Sequence, residues 1–360
     1  MDISRVAILG GGNVALATSA ELSNAGFTVN MFELPEFEHT IQPIIKKGRI
    51  EYSGVVGEGF AKPNMVTTDI EKALKDVGLI ILTAPVFAHE PFVDACLPYF
   101  QNGQVFLIET AYFGCLRFAK KIQQTGKRII LAEMNQSPYT CTKKNPTHIF
   151  IDAKRNEAFI AALPGTTNIM ERLMPLKSVW PDLTPIKNVM QTSLDNMNWI
   201  AHPPITLLHR GLIERSNEYY LPLKDALSPS VIRLMEALER DRVVFGTAFG
   251  IGLPPIKHTF EMGGDTLEEA LRLSTEFETF GYEYQNSSCP YLMEDLYYAL
   301  PPIVSIANLV NVPVPAMSSV LRLFTIIDNV DYLKEGVNVE KMGIAGMNID
   351  EICNIVENGF

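Results

Sequence analysis

The stretch VAILGGGNVALA, residues 6–17, limits this chain more than any other. A short β-prone run, RVAIL at 5–9, ends in the triplet Gly10–Gly11–Gly12. Residues 13–25 follow as a small-residue helix closed by Gly26, a C-cap residue. Gly10, Gly12 and Ala15 spell G-x-G-x-x-A between strand and helix. The first glycine makes the turn, the second admits a pyrophosphate to the backbone, and the third small residue lets helix pack on strand. The helix N-terminus attracts the anion. The motif alone is weak; in this context, with an acid ending the next strand, it predicts dinucleotide binding.

That acid is Glu33, in NMFELPE. A carboxylate there accepts from the ribose hydroxyls of NAD and repels the 2′-phosphate of NADP. No arginine follows to receive a phosphate, so NAD (as NADH) is expected and NADP is disfavoured. The plainer alternative is a solvated glutamate at a strand end.

Further apolar runs of strand length follow: FTVNMFE, VGLIILTAP, QVFLIET and KRIILAE, with helical patterns between several of them. Such alternation indicates a parallel sheet covered by helices on both faces. After about residue 190, long 3.6-residue periods take over, as in SVIRLMEALERDRVVFGTAFG and AMSSVLRLFTIIDNVDYL. The fold class expected is α/β: a Rossmann-type doubly wound parallel sheet over 1–190, then a mostly α-helical substrate and catalytic domain over 191–360.

Composition narrows the partners. A formal charge of −11 without a dense Lys/Arg block argues against nucleic acid or an anionic membrane. Five scattered cysteines (Cys96, Cys115, Cys141, Cys289, Cys353) suggest neither a disulfide framework nor a zinc site, and fit a reducing cytoplasm. The longest apolar run is too short to span a bilayer. Asp2 and the glycine triplet speak against a signal peptide. Small-molecule substrates, no metal and room for a homodimer are the expectations.

NMNWIAHPPITLLHRG, residues 197–212, is the second unusual stretch. Asn198 and His202 share a helix face four residues apart. Pro203 and Pro204 cannot donate to the carbonyls of Trp199 and Ile200, which predicts a helix opened beside His202. Histidine is the usual acid/base near neutral pH. A hydrogen-bonded core histidine is the competing interpretation. His89, past VGLIILTAP, lies where a doubly wound sheet puts its ligands; His39, His148, His209 and His258 have no partner pattern.

With these residues in view, the chain resembles the opine dehydrogenase family, of the octopine/nopaline type, over nearly its whole length. The similar features are the glycine motif continued by Asn13, TSLDNMNWIAHPPITLL, SPSV at 228–231, YLMED at 291–295, VPVP at 312–315 and EKMGIAG at 340–346. The resemblance implies a Rossmann domain, a helical domain and an active site between them. It also implies reductive joining of a 2-oxo acid to an amino acid's nitrogen through an imine. By match, His202 is the acid/base and Asp295 its partner, with Asn198 a polar contact. The Glu-Asp pair could otherwise be solvated. Tyr139 and Thr206 join the expected substrate contacts, and Asn13 and Pro85 the cofactor contacts. Cys141, in SPYTC, reads better as a buried thiol.

Two positions depart from the family. An arginine is usual directly before the Tyr-x-x-Glu-Asp element and after the Tyr-x-Cys element; here they are Pro290 and Thr142. Arginine is the natural bidentate clamp for a carboxylate, so the oxo-acid anchor is unassigned. Lys143, Lys144 and Arg210 are the nearest cations. The rival enzyme is a reductase of a plain 2-oxo or 3-oxo acid, similar to ketopantoate reductase or 3-hydroxyacid dehydrogenases. Those use a lysine where this chain has His202. A silent nucleotide sensor is a third possibility.

Overall fold

The computed structural model describes residues 1–110, 112–155, 157–215, 219–256, 265–273, 281–284 and 290–360. His258 and Cys289 lie outside them. The chain forms two compact units, Met1–Ser193 with Asn354–Phe360, and Leu194–Cys353.

In the first unit, RVAIL forms β1 (Arg5–Leu9), flanked in parallel by β2 (Thr28–Phe32) and β6 (Leu79–Leu82). Further strands of the unit are β3 (Ile50–Gly54), β4 (Gly59–Ala61), β5 (Met65–Thr67), β7 (Val105–Ile108) and β8 (Ile130–Met134). They are followed by β9 (Tyr139–Asn145), β10 (His148–Lys154), β11 (Ala158–Leu163) and β12 (Leu183–Pro185). The main sheet runs β12-β11-β8-β7-β6-β1-β2-β5. Its order reverses between β1 and β6, the switch point of a doubly wound nucleotide-binding sheet. β11 is antiparallel to β8 and gives the sheet a mixed edge. Parallel strands buried on both faces need unbroken apolar runs, and LIIL of β6 and VFLI of β7 are buried throughout.

Helix α1 (Asn13–Asn24) packs on this sheet through Ala15, Leu16, Ala17, Ala20 and Leu22, all buried. A four-stranded sheet, β4-β3-β10-β9, has no counterpart in the expected pattern. Its strands include a three-residue one (GFA in β4) and a largely polar one (YTCTKKN in β9), and only Ile149 and Ile151 of β10 alternate into the core. Residues 354–360 return to this unit, where Gly165 and Thr166 donate to the carbonyls of Val356 and Glu357.

The second unit is mainly helical, with one antiparallel pair, β13 (Tyr219–Pro222) and β14 (Gly281–Tyr284). Its long helices are α2 (Asn198–Arg215), α3 (Pro229–Ala248) and α4 (Pro315–Asp328). Arg242 of α3 is buried yet fully engaged. It donates to Glu239 through Nε at 2.7 Å, to Asp195 through Nη1 at 3.0 Å, and to the carbonyls of Leu194 and Pro254. The neighbouring Asp241 accepts the Met317 N–H at the head of α4.

Removing one partner of a buried ion pair strands the other charge, a loss of about 3–5 kcal/mol. Arg242→Met is therefore expected to lower unfolding free energy by that amount. A urea titration checks it, and a change below about 1 kcal/mol would contradict the buried network.

Candidate active site

At the switch point, Gly10 turns the chain with φ +122°, and its N–H donates to Phe32 O at 2.8 Å. A Cβ there would meet Thr83 Oγ1 at 3.1 Å, and Thr83 donates to Leu9 O at 2.8 Å. The ends of β1 and β6 are thereby pinned together. A Cβ on Gly12 would meet nothing within 4 Å, and Gly12 and Asn13 are exposed. No side chain caps the N-terminus of α1 and no acid occupies its first turn. This open, uncapped end at a switch point fits a dinucleotide's pyrophosphate. Ala15 is buried, as helix-on-strand packing requires. Pro85 stands exposed two residues past Thr83, at the same edge.

Gly11, between the motif glycines, has less room for a side chain than either of them. A Cβ on it would fall 2.5 Å from Thr40 Oγ1 and 2.8 Å from Glu33 Oε2. Glu33 is not a solvated strand end: it is buried, accepting from Leu34 N–H at 2.8 Å and from the Thr40 hydroxyl at 3.2 Å. Burial raises its pKa against these hydrogen bonds and the nearby Lys143 charge. Sequence reasoning missed Lys143 here: its Nζ donates to Gly11 O at 2.6 Å, and its N–H to Asn13 Oδ1 at 3.3 Å. Burial lowers the ammonium's pKa while Glu33 opposes the shift.

In the second unit, the expected break at Pro203–Pro204 is corrected. Helix α2 runs unbroken from Asn198 to Arg215 with both prolines inside and buried. Proline's fixed φ is itself helical and only the Trp199 and Ile200 carbonyls lose donors, while burial of both rings offsets that loss. Asn198, His202 and Thr206 consequently line one face at four-residue spacing. The Asn196 side chain accepts from Asn198 N–H at 3.0 Å at the helix start. The side-chain donors of Asn196 and Trp199, both buried, have no hydrogen-bond partner among the described residues.

Asp295 reaches His202 from a helix with its own irregularity. Helix α5 (Pro290–Glu294) passes into a π turn, Asp295–Ala299, and then α6 (Leu300–Leu309). Pro290 opens α5 at a first-turn position that suits proline. In the π turn Leu300 N–H donates to Asp295 O, five residues back. Pro301 cannot donate to Tyr297 O, and Val337 N–H supplies that bond at 2.6 Å. A Cβ on Gly336 would lie 2.8 Å from the same carbonyl. π turns of this kind recur at functional sites.

His202 Nδ1 and Asp295 Oδ2 are 2.8 Å apart, with the aspartate fully buried. A carboxylate only accepts, so Nδ1 carries the proton and the tautomer is fixed. The Tyr291 ring lies 6.0 Å from the imidazole. His202 is thus paired with a buried carboxylate, and Asp295 is no solvated acid.

Two other expectations change, those for Tyr139 and for the nominated cations, while His89 takes the place of an ordinary core histidine. Tyr139 is no substrate contact: its buried hydroxyl donates to Glu21 at 2.6 Å and accepts from Trp180 Nε1 at 2.8 Å, inside the core of the first unit. His89 is buried and donates through Nε2 to Ala84 O at 2.9 Å. Burial holds its pKa down at about 3, so it stays neutral. The nominated cations are engaged elsewhere. Lys144 lies over the Phe150 ring at 4.4 Å, and Arg210 is paired with Glu214 and Asp328. Cys141 is a half-buried thiol pushed up by burial to about 12.

Glu109, after β7, escaped the sequence. It is buried, accepts from Thr18 and Ser137, and burial raises it to about 8. Among the described residues no group of three or more His, Cys, Asp or Glu could hold a metal, and no helix is long and apolar enough to cross a membrane.

Residues 185–327 match the family model for the α-helical domain of NAD/NADP octopine/nopaline dehydrogenases. An opine dehydrogenase of Arthrobacter sp. (strain 1C) is 28% identical, with 98% of each chain covered. The solved structure of octopine dehydrogenase with NADH and L-arginine superposes with a TM-score of 0.80 over 98% of both chains, at 16% identity. A ketopantoate reductase from Ralstonia eutropha JMP134 has a TM-score of 0.63 over 90% of this chain and 98% of its own, at 15% identity. The fold is common to both enzyme types.

Glu109 and His89 make opposite pH limbs. Native His89 stays neutral while the unfolded chain protonates it below its ordinary 6.5, so stability falls from there toward about pH 3. Native Glu109 keeps a proton that the unfolded chain releases above its ordinary 4.5, so stability falls with rising pH up to about 8. Glu109→Gln should flatten the fall between pH 6.5 and 8 by roughly 1.4 kcal/mol per unit. Urea midpoints at the two ends of that window measure it, and an unchanged slope would mean that Glu109 ionises normally.

Proposed function

We propose that this chain is a member of the opine dehydrogenase family, an NAD-dependent oxidoreductase acting on CH–NH bonds, which condenses an amino acid or other amine with a 2-oxo acid and reduces the product. The observation carrying this is the buried His202–Asp295 hydrogen bond, on the helices of the domain that the family model matches.

Chemically, the amine attacks the oxo carbon, water leaves, and the resulting imine takes up a hydride and a proton to give a secondary amine. The nicotinamide cofactor, when bound, supplies the hydride. Gly10, Gly12, Asn13, Ala15 and Pro85 shape its site, and Glu33 is the acceptor for its ribose hydroxyls. His202 exchanges protons through Nε2: it relieves the attacking nitrogen of a proton and returns one to the departing hydroxyl. Asp295 holds the imidazole in the required tautomer and stabilises its cation. Asn198 and Thr206, one turn to either side, are the polar contacts for substrate. With proline at 290 and threonine at 142, and Lys144 and Arg210 engaged, the oxo acid's carboxylate meets no arginine at the family's positions. Pyruvate with common amino acids is therefore a poor pair, and another oxo acid or amine is the better one.

The test is NADH oxidation across oxo acids and amines. Turnover requiring both substrates supports the assignment; turnover of an oxo acid alone would establish the plain-carbonyl reductase. For pyruvate with any common amino acid, kcat/KM is expected well below about 10⁵ M⁻¹s⁻¹, an ordinary working efficiency. His202→Ala should lower kcat about 10²–10⁴-fold, the worth of a positioned acid/base, with NADH affinity kept. Asp295→Asn should also lower kcat through the wrong tautomer. Retention of more than half the activity by His202→Ala would make the histidine structural.

A further inference from the structure

Lys143 belongs to β9, in the small sheet, yet its side chain ends on the glycine loop. Its ammonium donates to the Gly11 carbonyl at 2.6 Å, and its own N–H binds Asn13 at the head of α1. It is half-buried and lies within the field of the Glu33 carboxylate. Sheets of this type that bind NADP place an arginine near the end of the second strand for the 2′-phosphate, and those that bind NAD place an acid there. Here that place is occupied by the acid, Glu33, and the cation arrives from 110 residues further along (143 − 33).

We propose that Lys143 reads a phosphate of the bound dinucleotide, so that Glu33 and Lys143 together, rather than Glu33 alone, form the charged part of the cofactor site. This rests on the nucleotide site assigned above. A half-buried ammonium beside an uncapped helix end is a charge without a full counter-ion, since Glu33 is shared among Leu34, Thr40 and Gly11. A phosphate oxygen brings the missing charge at short range and low dielectric. The backbone carbonyl that now accepts from Nζ is the weaker acceptor of the two. Two phosphates have the required chemistry: the pyrophosphate, which the α1 N-terminus also attracts, and the 2′-phosphate of NADP, on the hydroxyl that Glu33 would otherwise hold. In the second case Lys143 offsets part of the repulsion by Glu33, and NADPH is discriminated against less strongly than a lone acid would dictate.

The experiment is fluorescence titration of the full chain with NADH, with ADP, 2′-AMP and adenosine as competitors, on wild type, Lys143→Met and Lys143→Arg. Lys143→Met is expected to weaken one phosphate ligand by about tenfold to a hundredfold, the worth of a charged hydrogen bond, and to leave adenosine unchanged. Lys143→Arg should restore most of that affinity. Loss for ADP with 2′-AMP spared assigns the pyrophosphate; loss for 2′-AMP with ADP spared assigns the 2′-phosphate. Equal loss for all three competitors, adenosine included, would make Lys143 a brace for the loop and overturn the proposal, as would no change for any of them. Should the methionine variant not fold, Lys143→Gln retains a neutral donor and the same competitors decide. Wild type that binds no NADH would overturn the nucleotide site itself, an outcome no Lys143 variant can imitate.

Discussion

The nucleotide side of the molecule depends on a steric exclusion. One oxygen of Glu33 stands 2.8 Å from where a side chain on Gly11 would begin, with Thr40 closer still. Only a residue without a Cβ lets strand-end acid and loop meet, and the meeting desolvates the acid. The turn at Gly10 sets the other coordinate, because β1 and β6 must end side by side for Thr83 to bond back to Leu9. The parallel register of three strands, an absent methyl and a buried charge are thus one arrangement. Changing any of them moves the other two.

The helical unit makes a different use of missing hydrogen bonds. Proline pairs stand one residue past His202 and six past Asp295. In α2 the backbone tolerates its pair and the helix stays regular, whereas the helix bearing Asp295 widens into a π turn ahead of its own pair. Val337 then supplies the donor that Tyr297 lacks, through an approach that Gly336 makes possible. A π turn rotates the helix on its N-terminal side relative to the helix on its C-terminal side. The carboxylate that opens this turn is fully buried against an imidazole from another helix.

Much of this was legible in the residues. The glycine motif and the apolar runs announced β1, β2, β6, β7 and β8, because parallel strands buried on both faces need continuous apolar stretches. The acid at 33 and the pair at 202 and 295 could be named in advance, though the pairing itself came from resemblance to a family. The illegible parts have physical reasons. The small sheet combines a three-residue strand, a polar strand and one, HIFIDAK, whose alternation lasts only from Ile149 to Ile151. The fate of Pro203–Pro204 was misjudged because propensity counts a lost hydrogen bond but cannot count the burial that offsets it. The place of Tyr139 is illegible because nothing local reveals that Glu21 and Trp180, 118 and 41 residues distant, engage its hydroxyl. Glu109 is invisible for the same reason, its burial being a property of the assembled sheet.

The bond from Lys143 to Gly11 joins residues 132 apart in sequence. Closing so long a loop costs entropy that is recovered only after β3, β10 and β9 have paired. During synthesis the glycine turn emerges long before the strand that completes it, and domains mature as the chain is made. The nucleotide loop is therefore an early feature of the sequence and a late feature of the fold. Its chemistry ripens only when the small sheet has closed over it, which ties cofactor capture to the completion of the first unit.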